Sequence, residues 1–192
     1  DETMHMLELA YENVNQAFGQ LLQFSDKIDE QIYKREDTVN YLDKVISEYI
    51  STALATPNLN VNISQALSSY YLMLVDIERI SDYAVNMNHQ ATKRLQGDMT
   101  ISEIEIVEHM KKLCVDMKND LSDVEEAERK DDVIDSLVSS WREAQIQALK
   151  QQKCSSEVSM MLSRIFTDFE RINDHALNVS QEFDKINIEI PE

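Results

Sequence analysis

Glycine and proline are nearly missing from this chain, with two of each in 192 residues. Hairpins and tight turns depend on both, so their scarcity argues against a sheet and for long helices. Cysteine is as sparse. Cys114 and Cys154 show no CxxC spacing, and a reduced cytosolic interior is the simplest reading. Basic residues are outnumbered 18 to 36, for a net charge of -18. Nucleic acid is thereby set aside as a partner, because phosphate backbones demand Lys and Arg. Divalent cations would be attracted, although such a surface also serves solubility alone. No apolar run approaches the ~20 residues that span a bilayer; the longest is "YYLMLV", 70–75. There is no signal peptide, no Gly-rich phosphate loop and no nucleophile elbow. The opening "DETMHM" is read as a cut from a longer protein.

What is present is helical periodicity, almost from end to end. Six helices are expected, at about 3–30, 32–55, 61–95, 101–126, 129–151 and 155–185. Pro57 ends the second and Gly97 follows the third. Thr100 with Glu103 forms a capping box for the fourth, and Ser155 or Ser156 caps the sixth.

The helices fall into two sets of three. At an offset of 92, "DIERISDYAVN" (76–86) and "DFERINDHALN" (168–178) agree at seven of eleven positions. At an offset of 95, "REDTVNYL" (35–42) pairs with "KDDVIDSL" (130–137). Two matches in the same order indicate a duplicated three-helix unit. The fold class is therefore all-α, two tandem three-helix bundles, with repeats at 1–97 and 98–192.

On a helix turning about 100° per residue, Glu78 and Asp82 sit about 40° apart at the border of the apolar arc. Leu74 and Val85 flank Glu78 on the other side. Glu170 and Asp174 repeat this arrangement, with Phe166 and Leu177 as neighbours. Like charges at i and i+4 cost a helix roughly 0.2–0.5 kcal/mol, and a cation would remove the penalty. The second helix of each unit supplies partners: Asp131 and Asp135 in one copy, Glu36 and Asn40 in the other. Four oxygen-bearing side chains can then converge, a donor set that suits Mg²⁺, Ca²⁺, Mn²⁺ or an iron. Against this stands a plainer alternative. Arg79 and Arg171 follow directly and could neutralise their neighbours as structural salt bridges.

These residues carry a resemblance. Glu-Arg-Ile-x-Asp-His/Tyr-Ala-x-Asn, present twice on the third helix of a duplicated unit, resembles the PhoU family over nearly the whole chain. The resemblance implies two three-helix bundles and metal-binding motifs on their surface. Its implied metal ligands are Asp131, Asp135, Glu170, Asp174, Glu36, Glu78 and Asp82, for an ion such as Fe, Zn, Mn, Mg or Ca. Asn40 departs from the carboxylate pattern. The first site is therefore expected to bind more weakly than the second. Tyr83 stands where a His is usual and points away from Glu78.

The implied role is regulation of phosphate uptake, without catalysis. "VNYLDKVISEYI" and "LVDIERISDYAVNM" look most like the cytoplasmic tail of a bacterial Na⁺/phosphate cotransporter. On that reading the partner is a transmembrane domain of the same chain, at the cytoplasmic side of the inner membrane. The alternative is a free-standing regulator of a phosphate ABC transporter and its sensor kinase. A homodimer is compatible with either. A metal-free helical interaction module is the third reading; there most of the methionines, and Trp141, belong to the core. A di-iron enzyme is rejected, because the one Glu-x-x-His spacing is Glu2 to His5 at a terminus. His89, His109 and His175 lie far apart and read as ordinary histidines.

Overall fold

A computed structural model describes residues 2–189. It contains six long helices: α1 (Glu2–Leu22), α2 (Asp26–Leu54), α3 (Val61–Ala91), α4 (Ile101–Asn119), α5 (Val124–Lys150) and α6 (Ser156–Glu189). A short 3-10 turn, Leu95–Asp98, precedes α4. The all-helical expectation holds.

The largest differences from the sequence reading fall at two helix junctions, α1/α2 and α4/α5. The first helix stops at Leu22 rather than near 30. The chain turns at Ser25, whose backbone is extended (φ -137°, ψ 122°). Gln20 fastens that turn with both ends of its amide. Its Oε1 accepts from the Ser25 N–H at 2.7 Å, and its Nε2 donates to the Ser25 carbonyl at 3.0 Å. A side-chain clamp of this kind replaces the Gly or Pro that a turn usually needs. The fourth helix stops at Asn119 rather than near 126. Asp123 then caps α5 by accepting from the Glu126 N–H at 3.1 Å, which satisfies a donor the first turn leaves free.

Other signals act as read. Thr100 and Glu103 form a reciprocal capping box. Ser155 accepts from the N–H groups of Glu157 and Val158 at the start of α6. Because glycine is so scarce, Arg94 and Gln152 take the left-handed conformation just beyond α3 and α5 (φ 54° and 56°). Ordinary side chains tolerate that position at some cost.

The two halves share one continuous core. The most extensive helix contact joins α3 to α6, and α1 also packs on α4. Helices α1, α3, α4 and α6 therefore form the centre. Helix α2 lies outside against α1 and α3; α5 lies outside against α6 and, less, α4. Phe18 of α1 meets Phe169 of α6 edge to face, centroids 6.3 Å apart. Met6, Met73, Met87, Met110, Met117 and Met161 are buried, whereas Met160 is exposed. Trp141 packs against the core beside Phe166.

Candidate functional site

The outer position of α2 and α5 creates two matching seams, α2/α3 and α5/α6. The sequence-predicted carboxylates lie along them. Each seam helix pair presents acidic residues at the edge of its buried face, from the nearly buried Glu36 to the exposed Asp135.

On the first seam, Glu36 of α2 is almost wholly buried, at 9% exposure. Its Oε2 accepts a short hydrogen bond from the Ser81 hydroxyl of α3. Ser81 in turn accepts from Asn13 Nδ2 of α1 at 3.2 Å. Arg35 completes the network by donating to Asn13 Oδ1 at 2.7 Å and to Glu12 at 2.8 Å. Burial pushes the Glu36 carboxyl up; the Ser81 and Asn40 hydrogen bonds oppose this, and Asp82 adds to it. Glu78 is pushed up by burial and then by Asp82, with Asp43 and Glu36 contributing less. Arg79 partly offsets this, lying 3.7 Å from Glu78 and 3.3 Å from Asp82.

On the second seam, Asp131 is pushed up to about 6, first by burial and then by Asp135 and Asp174. Asp135 moves the same way, through burial and then Asp174 and Glu170. Like charges gathered in a half-dry seam disfavour ionisation. Arg171 lies 3.3 Å from Asp174. Glu170 is turned toward Arg142, which donates to its Oε2 at 2.5 Å. Two buried oxygens of this unit, Asp131 Oδ1 and Asn173 Oδ1, accept no hydrogen bond among the described residues.

All seven predicted carboxylates therefore lie on the two seams, and within each seam their charges act on one another. As placed, no group of three or more Asp, Glu, His or Cys among the described residues could hold one ion. Their carboxylate oxygens are the donor type that hard cations take, but as placed they do not converge on one point. Engagement would require Glu170 to leave Arg142.

Sequence reading missed four contributors. Asp43 stands one turn beyond Asn40 and seven residues beyond Glu36, on the same face of α2. It supplies a fourth carboxylate to the first seam, and burial pushes its carboxyl up. The expectation that Asn40 leaves the first cluster short of charge is thus corrected. Arg142 lies on the seam face of α5, seven residues past Asp135, and gives the second cluster another arginine beside Arg171. The i+7 spacing was available in the sequence. Ser81 and Asn173 were passed over because they interrupt the identities between the copies.

The histidines have other partners. His175 Nδ1 lies 2.7 Å from Asp76 Oδ1, to which Asn178 also donates at 3.0 Å. Tyr83 stacks on His175 at 5.8 Å, across the α3–α6 contact. His109 meets the edge of Trp141.

A duplicated three-helix unit with ERIxD seams on its outer helix pairs defines a class, and comparison with known proteins agrees. The PhoU domain family matches residues 3–91 and again 101–183. The chain belongs to that family. It is 24% identical over 189 residues to the "Phosphate-specific transport system accessory protein PhoU homolog 1" of Thermotoga maritima, covering 92% of this chain and 80% of that protein. Its fold is similar to the crystal structure of PhoU from Pseudomonas aeruginosa, with a TM-score of 0.86 at 19% identity over 96% and 93% of the two chains. It is likewise similar to the phosphate transport system regulatory protein PhoU from Streptococcus pneumoniae, with a TM-score of 0.83 at 18% identity over 96% and 91%. The Thermotoga and Streptococcus relatives are named as accessory and regulatory proteins, which agrees with the expectation of a non-enzymatic chain. No helix among the described residues is long and apolar enough to cross a membrane.

Proposed function

We propose that this protein is a free-standing PhoU-type regulator of phosphate transport, acting through contacts and cation binding at its acidic seams. The observation that carries the reading is the pair of equivalent carboxylate seams in a chain whose two halves both match one family. The names of the Thermotoga and Streptococcus relatives support phosphate transport as the regulated process. The chain spans 80–93% of the length of the three relatives, and none of the three is a cotransporter. The sequence had suggested a Na⁺/phosphate cotransporter tail instead, and that expectation receives no support from them. The partner would be a phosphate transport complex at the cytoplasmic face of the membrane.

Deleting the gene in its own organism should raise phosphate uptake in phosphate-replete medium, and a plasmid copy should restore the low level. Unchanged uptake would refute the regulatory reading. A change confined to Na⁺-driven uptake would return the cotransporter tail.

The cation part has its own test. Asp131, Asp135, Glu170 and Asp174 would hold an ion on one seam, and Glu36, Asp43, Glu78 and Asp82 on the other. A bound cation would neutralise the mutual repulsion of each cluster and tie its two helices together. Calorimetric titration of metal-free protein with Mn²⁺ should lose one binding phase in Glu170→Gln/Asp174→Asn and the other in Glu78→Gln/Asp82→Asn. Binding that survives in both variants, or is missing in the wild type, leaves the carboxylates as structural groups.

A further inference from the structure

Past Asp43, α2 and α3 enclose an open apolar groove of about 430 Å³. Ile46 and Ile50 of α2 line it with Leu67 and Tyr70 of α3, and Val45 and Tyr49 stand at its edge. Tyr41, Val45 and Tyr49 also form a stripe at i, i+4 and i+8 along α2, about 12 Å long. They are 63%, 42% and 71% exposed respectively. Single apolar side chains on a surface are ordinary, but a contiguous stripe beside an apolar groove marks a place that something covers.

The second unit serves as the comparison. At the offset of 95, Tyr41, Val45 and Tyr49 correspond to Ser136, Ser140 and Ala144 of α5, which are also exposed. The neighbouring positions match in burial: Ile46 and Trp141 are half-buried, Ile50 and Gln145 buried. The fold thus accepts small residues at the three outer positions, and packing does not call for the stripe. Tyrosine is a residue that interfaces concentrate.

Charge selects the occupant. From Asp37 to Glu48, α2 carries three acids, Asp37, Asp43 and Glu48, against one base, Lys44. On the helical wheel Asp37 and Glu48 flank the stripe. Glu2 adjoins the groove, and the seam adds Glu78, on which Asp43 acts. A second copy of this chain would bring another net charge of -18, and an anionic lipid surface would be repelled as well. An apolar groove between two helices with an acidic edge fits a helix that is apolar on one face and rich in Lys and Arg on the other.

We propose that the α2/α3 groove, with Tyr41, Val45 and Tyr49, receives a basic amphipathic helix of a partner protein. That the helix belongs to a membrane transporter rests on the phosphate-transport reading above; cytoplasmic segments of membrane proteins are rich in Lys and Arg.

The probe is a fluorescein-labelled Leu/Lys peptide of about four turns with one apolar face. It is titrated into the full chain by anisotropy at about 0.15 M salt, where long-range attraction is screened. It should bind at least about tenfold more tightly than a scrambled peptide of the same composition, or than a Leu/Glu peptide with the same apolar face. Tyr41→Ser/Val45→Ser/Tyr49→Ala, which installs the second unit's residues, should weaken binding at least about tenfold with helical circular dichroism unchanged. Asp37→Lys/Glu48→Lys should weaken it as much, and decides alone if the first variant fails to fold. The proposal is overturned if wild type binds no peptide, if either folded variant stays within about twofold of wild type, or if a control peptide binds equally well. A wild-type dimer that the first variant turns into monomer would give the groove to a second copy instead. Wild type that pellets with phosphatidylglycerol vesicles, where the first variant does not, would give it to a membrane. Peptide binding involves no phosphate uptake. Unchanged uptake on gene deletion would remove the regulatory reading and leave the groove's preference, whereas a failed titration would do the reverse.

Discussion

Consider Asp131→Asn in metal-free protein. The Asp131 carboxyl is pushed from its usual 3.8 up to about 6, by burial first and then by Asp135, Asp174 and Asp132. A raised pKa means that the folded chain holds this proton more tightly than the unfolded chain does. Its stabilising contribution is complete below the unfolded value and is lost as pH rises through about 6. At pH 7.5 the ionised group therefore opposes folding. At 1.36 kcal/mol per pH unit the ceiling is about 3 kcal/mol. The carboxyl is partly in solvent, however, and screening reduces the effect to about 1 kcal/mol. Asp131→Asn should then raise the melting temperature by about 2–4 °C at pH 7.5 for a chain of this size. Near pH 4 the gain should shrink toward zero, because wild type is then protonated in the fold. Thermal unfolding in chelator across pH 4–8 measures both. A variant less stable than wild type at pH 7.5, or a gain that ignores pH, would refute the electrostatic argument. Adding Mn²⁺ should reverse the order, since wild type then gains stability by mass action that the variant loses.

Other perturbations follow from the same geometry. Asp43→Asn should weaken the Mn²⁺ phase that depends on Glu78 and Asp82, about tenfold by calorimetry, because it removes one charge from that cluster. Gln20→Ala should cost about 1–2 kcal/mol in urea unfolding, since it strips both bonds from the Ser25 turn. Phe169→Ala should cost about 3–5 kcal/mol. Because Phe169 bridges to Phe18 of the other half, Trp141 fluorescence and helical circular dichroism should still report a single transition.

Much of this was legible in the sequence because helices announce themselves through periodicity and caps. The Thr100–Glu103 box is local chemistry, so residues three apart suffice to read it. The end of α1 was not legible for the opposite reason. Ser25 is turned by Gln20 reaching across the break, with no Gly or Pro to mark the site. The site divided in the same way. Glu78/Asp82 and Glu170/Asp174 were found as repeated pairs on one helix. Asp43 and Arg142 were missed, although each lies a further turn or two along the same face. Ser81 bonds Glu36 of α2 and Asn13 of α1, and Asn173 faces Cys114 of α4; no single-helix pattern contains such partners.

Where the copies have diverged is itself informative. Positions facing the shared core stay apolar in both, as Ile77/Phe169, Ile80/Ile172 and Ala84/Ala176 do. There any change of volume is felt by both halves, since one core serves them. The polar exchanges fall at other positions: Ser81/Asn173 at buried, hydrogen-bonded places, Ser47/Arg142 along the seams, Tyr83/His175 at the α3–α6 contact. At that contact Asp76 pairs with His175 and Asn178. Its counterpart Asp168 has Arg164 as its opposing charge and is pushed up to about 6 by burial. Packing thus holds the halves alike as scaffold, while the groups that could meet a cation or a partner differ between them. A regulator built this way need not answer twice to the same signal. On the cation reading proposed above, its two faces would respond at different cation concentrations, and the paired seam variants are the means to read each response separately.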